Sequence, residues 1–188
     1  MMSKIDRLAR VFGQHVAIGW PASSSGAQRV IMIVYDPADE RLLRRKLDVF
    51  AHEAAAAAGK SWKPLDLTSV FAEWIAAHRY REVYFEEPDE LHAIGEDRIA
   101  AAAAEIIEAA LRDDTHGPDA ILGVMGVGSL YGFASVADVL SRVEHVIQGR
   151  LAVFFPGRVQ DGRYRLLDAR ESWDYHAVSI TLDAAADA

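Results

Sequence analysis

Apolar positions along this chain alternate between two periods, and the alternation predicts strands and helices in turn. Residues 30–35 (V-I-M-I-V-Y), 120–125 (A-I-L-G-V-M) and 151–155 (L-A-V-F-F) are unbroken apolar runs between breakers. Such runs are expected of strands buried on both faces. Residues 62–67 predict a shorter strand, with Pro64 marking an edge or an irregular start. Pro156-Gly157 closes the run at 151–155, Asp161-Gly162 is a hairpin signal, and residues 164–167 form its second strand. His176, Val178, Ile180 and Leu182 alternate as a last strand should.

The helical period fills the intervals. Ile5, Leu8, Phe12 and Val16 share one face of a helix over residues 3–16. Asp36 as N-cap and Pro37 at the first position start a single helix with Leu43, Leu47, Phe50, Ala51, Ala54 and Ala58 inward, ended by Gly59. Thr68 is placed to cap a helix burying Phe71, Trp74 and Ile75. Residues 81–95 are less regular. An Ala-rich helix over 96–112 follows, burying Ile99, Ala103, Ile106, Ile107, Ala110 and Leu111. Ser135 and Asp138 have capping-box spacing ahead of the cleanest amphipathic pattern, with Val136, Val139, Leu140, Val143, Val146 and Ile147 inward.

Strands alternating with helices of this length imply an α/β fold: a mostly parallel central sheet flanked by helices on both faces, Rossmann-like or P-loop-like in topology. A C-terminal antiparallel hairpin is expected at an edge. The organisation read from the chain is one domain over 1–182, with 1–28 an N-terminal helix and a Ser/Gly/Pro-rich loop, and 183–188 a flexible tail.

Composition narrows the function classes. The 188 residues include no cysteine, so disulfides and thiolate chemistry are excluded. Charges and glycines interrupt every apolar run short of membrane-spanning length, and residues 1–10 have no signal-peptide apolar region. The expectation is a cytoplasmic protein with no membrane contact. A formal net charge of −8 argues against direct nucleic-acid binding by the chain alone. The exception is local: Arg150, Arg158, Arg163, Arg165 and Arg170 crowd one stretch among Phe, Tyr and Trp, where solvated charge on hairpin edges is the ordinary account.

Open α/β sheets bind ligands beyond the carboxyl ends of their strands. Those ends define a candidate crevice of Asp36, Gly126, Gly128, Ser129 and Arg158. Each member also has an ordinary reading. The glycines fit a tight strand-to-helix turn and depart from the G-x-G-x-x-G spacing, and Asp36 fits a helix cap. Gly59-Lys60-Ser61 fails as a P-loop, because residue 54 is Ala and the segment ends a helix. His52-Glu53 lacks the second His of H-E-x-x-H, and no Ser lies in G-x-S-x-G. No catalytic, cofactor-binding or metal-ligating set emerges, and no cofactor is expected.

Six segments carry a resemblance: V-Y-D-P at 34–37, Y-F-E-E-P at 84–88, G-S-L-Y-G-F at 128–133, F-F-P-G at 154–157, Y-R-L-L-D-A-R at 164–170 and W-x-Y at 173–175. In this order, over roughly residues 29–181, they resemble the BrxB family, small accessory proteins of BREX phage-defence systems. The resemblance implies a pathway and partners rather than a reaction. It implies a non-enzymatic interaction subunit of antiviral defence, with a PglZ-type protein as partner. Interface residues expected on this basis and on composition are Tyr84, Phe85, Arg158, Arg163, Tyr164, Arg165, Arg170, Trp173 and Tyr175, since interfaces favour aromatics and Arg. The readings set against it are a nucleotide- or phosphoester-handling enzyme using the crevice, and a nucleic-acid adaptor using the Arg-rich hairpin.

Overall fold

Five parallel strands form the frame: β1 (Val30–Tyr35), β2 (Ser61–Asp66), β3 (Ala120–Met125), the first half of β4 (Arg150–Gln160) and β7 (Val178–Ile180), in the order β2-β3-β4-β1-β7. The computed structural model describes residues 2–21, 23–113, 115–167 and 173–182, with residues 58 and 90–96 described by secondary structure alone. Arg170 and residues 183–188 therefore lie outside the described residues, as does the side chain of Ala58.

Chain direction explains the layers. The connection from β1 to β2 crosses two strands through α2 (Glu40–Arg45) and α3 (Leu47–Ala58). The return from β2 through β3 to β4 uses α4 (Val70–Ala77), α5 (Arg81–Glu86), α6 (Pro88–Leu111) and α7 (Val136–Val143). Crossovers of one hand running in opposite directions must lie on opposite faces. One face accordingly packs α1 (Lys4–Ala17) and α3 on Ile31, Ile33, Ile121, Ala152 and Phe154. The other packs α6 and α7 on Met32, Leu122, Val124, Leu151 and Val153. On the first face Phe12, Phe50 and Phe154 are fully buried, and Phe50 meets Phe154 edge-on with centroids 4.8 Å apart. Each such ring stabilises the fold by about 1.5–3 kcal/mol of transfer free energy. Gly123 keeps its strand open for this cluster: a Cβ there would sit 2.1 Å from the Trp62 ring.

Several local expectations are met. Ser3 caps α1 in a reciprocal box with Asp6, and Ile5, Leu8, Phe12 and Val16 are buried. Pro64 does sit on an edge strand, since β2 pairs with β3 alone. Asp161 and Gly162 both have positive φ (51° and 76°), as a two-residue hairpin turn requires.

Other expectations are corrected. The helix after β1 is not continuous: a 3-10 turn, Pro37–Asp39, precedes α2, and the chain breaks again at Lys46 (φ −120°, ψ 18°). No Gly or Pro lies there. Lys46 is instead drawn to the start of α1, with its ammonium 2.6 Å from Asp6 Oδ1 and 3.2 Å from Ser3 Oγ. Thr68 does not cap α4. Its N–H and hydroxyl donate to Asp66, and Ser69 holds the N-cap position. Ser135 is the N-cap of α7 but makes no side-chain cap bond. The long helix α6 starts at Pro88, eight residues earlier than read, because Pro at the first helical position suits a helix start. Its buried face includes Ala100 and Ala104, and Ile106 is exposed.

The largest correction concerns β4, which does not stop at Pro156-Gly157. Pro156 ends the pairing with β1 opposite Tyr35, and Gly157 begins antiparallel pairing with Leu166 of β5 (Arg163–Leu166). A Cβ on Gly157 would lie 2.1 Å from the Arg165 carbonyl, so only glycine lets the two strands approach there. The hairpin is thus a continuation of an inner strand. It rises from the carboxyl edge of the sheet rather than lying beside an outer strand, and β6 (Trp173–Asp174) pairs along its far side. Among the described residues, no helix is long and apolar enough to cross a membrane.

Candidate functional site

The carboxyl edge of the sheet is organised by side chains outside the predicted crevice. Tyr35, the last residue of β1, donates its hydroxyl to Glu40 of α2. One turn on, Arg44 donates from Nε to Glu40 at 2.6 Å, from Nη1 to Asp66 at 2.9 Å and from Nη2 to the Thr68 hydroxyl at 2.7 Å. One guanidinium therefore ties α2 to the end of β2. Gly126 makes this possible: at φ +80°, a Cβ there would fall 2.5 Å from Thr68 Oγ1 and 2.6 Å from Asp66 Oδ1.

Protonation follows from these contacts. Burial disfavours the charged form of Arg44, but its bonds to Glu40 and Asp66 outweigh that and raise its pKa. Burial pulls Asp66 upward, yet bonds from Thr68 and Arg44 carry it below the ordinary carboxylate value. Burial, then the Glu40 carboxylate, pushes Tyr35 far up, so its phenol stays neutral. The network holds one cation between two carboxylates.

The predicted crevice is only partly assembled. Gly128 approaches Pro156, where a Cβ would lie 3.3 Å from Cγ, and the Ser129 hydroxyl donates to the Leu67 carbonyl at 3.0 Å. Asp36 stands apart and exposed, accepting from the Ala38 N–H of its own turn at 2.9 Å. Arg158 makes no hydrogen bond to any of them. Ser129 has no base within hydrogen-bond reach among the described residues, so a nucleophile–base pair does not form there. Nor do three or more metal-ligating side chains converge among the described residues.

The hairpin presents the second candidate surface. Strand alternation sends Tyr164 and Leu166 inward and Arg163 and Arg165 outward, and Arg158 is outward on β4. The register sets Arg158 directly opposite Arg165. Arg163 shares their face and bridges to Asp174 at 3.2 Å. Arg158 and Arg165 have no acidic partner among the described residues. These three arginines, with Gln160 and Asp161, line an open cleft of about 290 Å³.

The aromatic residues expected at an interface divide between surface and core. Phe85 is 67% exposed. Tyr84, its neighbour, is buried 5.0 Å from the His78 ring and 6.5 Å from Trp74. Tyr164 is 1% exposed, lies 5.1 Å from Trp173, and bonds through its hydroxyl to Ser179. Trp173 and Tyr175 are half-buried against the same core, and the Tyr175 hydroxyl donates to Glu144 at 3.2 Å. Tyr84 and Tyr164 are therefore core rings, removed from the expected contact surface: Tyr84 packs among Phe71, Trp74, Ile75 and Phe133, and Tyr164 packs on the main core of the sheet. Arg170 lies outside the described residues.

Sequence reasoning gave Thr68 only a capping role and placed none of Glu40, Arg44, Asp66 and Thr68 in a site. One signal was present: Glu40 and Arg44 have the i, i+4 spacing of a helical ion pair. No protein-family model, no curated protein and no solved structure matches this chain.

Proposed function

We propose that this chain is a non-enzymatic docking subunit whose outward Arg face on the β4–β5 hairpin receives an acidic segment of a partner protein. One observation carries the reading: Arg158 and Arg165 are placed directly opposite each other and exposed, without a carboxylate partner among the described residues, on a chain of net charge −8. Like charges directly opposite across a ribbon destabilise it. An acidic partner would turn that cost into attraction, and Arg is among the residues most enriched where binding energy concentrates. Phe85, with Val83 and Tyr80 also exposed, offers an apolar contact elsewhere on the surface.

The BrxB resemblance supplies the pathway: BREX antiviral defence, with a PglZ-type protein as the partner to test. Co-expression followed by size-exclusion chromatography tests it. The wild-type chain should co-elute at micromolar concentration, and Arg158→Glu with Arg165→Glu should weaken binding at least about tenfold, ~1.4 kcal/mol. The pair of substitutions should leave the melting temperature close to that of the wild type, because Glu opposite Glu keeps the like-charge repulsion of the original pair. Co-elution of the charge-reversed protein at wild-type strength would remove the hairpin from the interface. Failure of the wild-type chain to bind would remove the PglZ assignment.

A further inference from the structure

The amino edge of the sheet, opposite the hairpin, holds a cavity that the docking reading does not use. It lies among the starts of β2, β3 and β4, has a volume of about 380 Å³, and is lined chiefly by Trp20, Arg29, Lys60, Asp119, Gln148 and Arg150. The lining side chains carry three positive charges against one negative. Lys60 is bridged to Asp119. Arg29 donates to the backbone carbonyls of Ser24, Ile147 and Gln148.

Arg150 is different. It is the first residue of β4, only 6% exposed. Its guanidinium has a single hydrogen bond, 3.1 Å to the Gly149 carbonyl beside it, and no carboxylate partner among the described residues. It lies over the Trp20 ring, 4.6 Å from the centroid, and Lys60 lies over the same ring at 4.3 Å. A buried cation is ordinarily paired, because removing charge from water is costly without compensation. A ring face compensates only in part. The Trp20 N–H is also buried without a hydrogen-bond partner among the described residues. Two donors, one of them charged, therefore belong to residues that line the same cavity. The charge is felt nearby: burial first, and Arg150 second, lower the pKa of His15 at the end of α1. Burial, then Arg29, lowers that of Arg150 itself.

We propose that this cavity is a binding site for a small tetrahedral oxyanion, a phosphate or the phosphoester of a small metabolite, held by the Arg150 guanidinium and the Trp20 N–H. Arg150 has four N–H donors beyond the one committed to Gly149, in a planar fork that matches two oxygens of such an anion. Lys60 and Arg29 complete the positive wall, and the cavity is large enough for a phosphate carrying a small organic group.

The test titrates the full chain with inorganic phosphate against chloride at constant ionic strength, reading tryptophan fluorescence and melting temperature. Wild type should give a saturable fluorescence change and a rise in melting temperature that chloride does not reproduce. Arg150→Met should abolish both responses. In phosphate-free buffer it should melt at or above the wild-type temperature, because it removes an unpaired buried charge. Arg150→Lys keeps the charge and loses the fork, and Trp20→Phe keeps the ring and loses the N–H. Each should remain folded and weaken phosphate binding by on the order of tenfold. Equal responses of phosphate and chloride would overturn the proposal, as would a phosphate response unchanged in both Arg150 variants. Loss of folding in Arg150→Met together with wild-type phosphate binding in Arg150→Lys would make Arg150 structural and overturn it. A response to acetate but not to phosphate or sulfate would overturn the tetrahedral assignment.

Discussion

Replacing Arg165 with Thr should stabilise the protein while weakening its partner binding. Arg165 and Arg158 face each other across the hairpin, both exposed, and neither has an acidic partner among the described residues. Two unit charges about 6 Å apart in water repel by roughly 0.7 kcal/mol. Cross-strand pair effects fall in the same range, about 0.2–1 kcal/mol. Thr also suits an exposed strand position better than a long charged chain. The expected gain is about 0.5–1 kcal/mol, or a rise in melting temperature of roughly 1–4 °C for a chain of this size. Calorimetry at low salt measures it. In 1 M salt, where the screening length shrinks to about 3 Å, the repulsive share should vanish and leave only the smaller gain from the strand preference of Thr. A double-mutant cycle with Arg158→Thr isolates the pair: the second substitution should add much less than the first. A gain undiminished in high salt, or a loss of stability on substituting Arg165, would refute repulsion across this pair and with it the case for a partner-shaped surface.

Three further outcomes are expected. Tyr84→Ala should lose about 3–5 kcal/mol of stability in denaturant unfolding, whereas Phe85→Ala, one residue on, should change it by no more than ~0.5 kcal/mol. Gly126→Ala combines a left-handed φ with a Cβ inside contact distance of Asp66 and Thr68, and should cost at least about 2 kcal/mol by the same measurement. Bonds from Lys46, then from Ser3, hold Asp6 at about 2, below its ordinary 3.8, so its stabilising contribution is complete above the unfolded value and is lost as pH falls from about 4 towards 2. Unfolding followed across that window should show a shallower acid loss for Asp6→Asn, and Asp113, also held at about 2 by Thr115 and then Lys63, should account for a second part of the slope.

Phe85 and the outward arginines were legible at the candidate surface, since charge and aromatic content are properties of composition. Tyr84 and Tyr164 were not, because whether a ring faces a partner or its own core depends on the element packed above it. The network of Tyr35, Glu40, Arg44, Asp66 and Thr68 was equally hidden: its members span 34 positions of sequence and meet only because β1 and β2 end on the same side of the sheet.

The sequence by itself determined the strands at 30–35 and 120–125, the Asp161-Gly162 turn and the buried face of α7. Each depends on local period or on the φ preference of one or two residues. Tertiary structure alone decided the break at Lys46, which a distant Asp6 holds, and the passage of β4 through Pro156-Gly157. A Pro-Gly pair stops a strand that has nothing to pair with. Here β1 supplies a partner up to Pro156 and β5 supplies one from Gly157 onward, so the strand continues. It also decided the exposure of Arg150, whose charge lies buried against Trp20 at the amino edge because the loop after α1 folds back over the start of β4. Contacts between residues far apart in sequence leave no periodic trace, and these outcomes rest on such contacts.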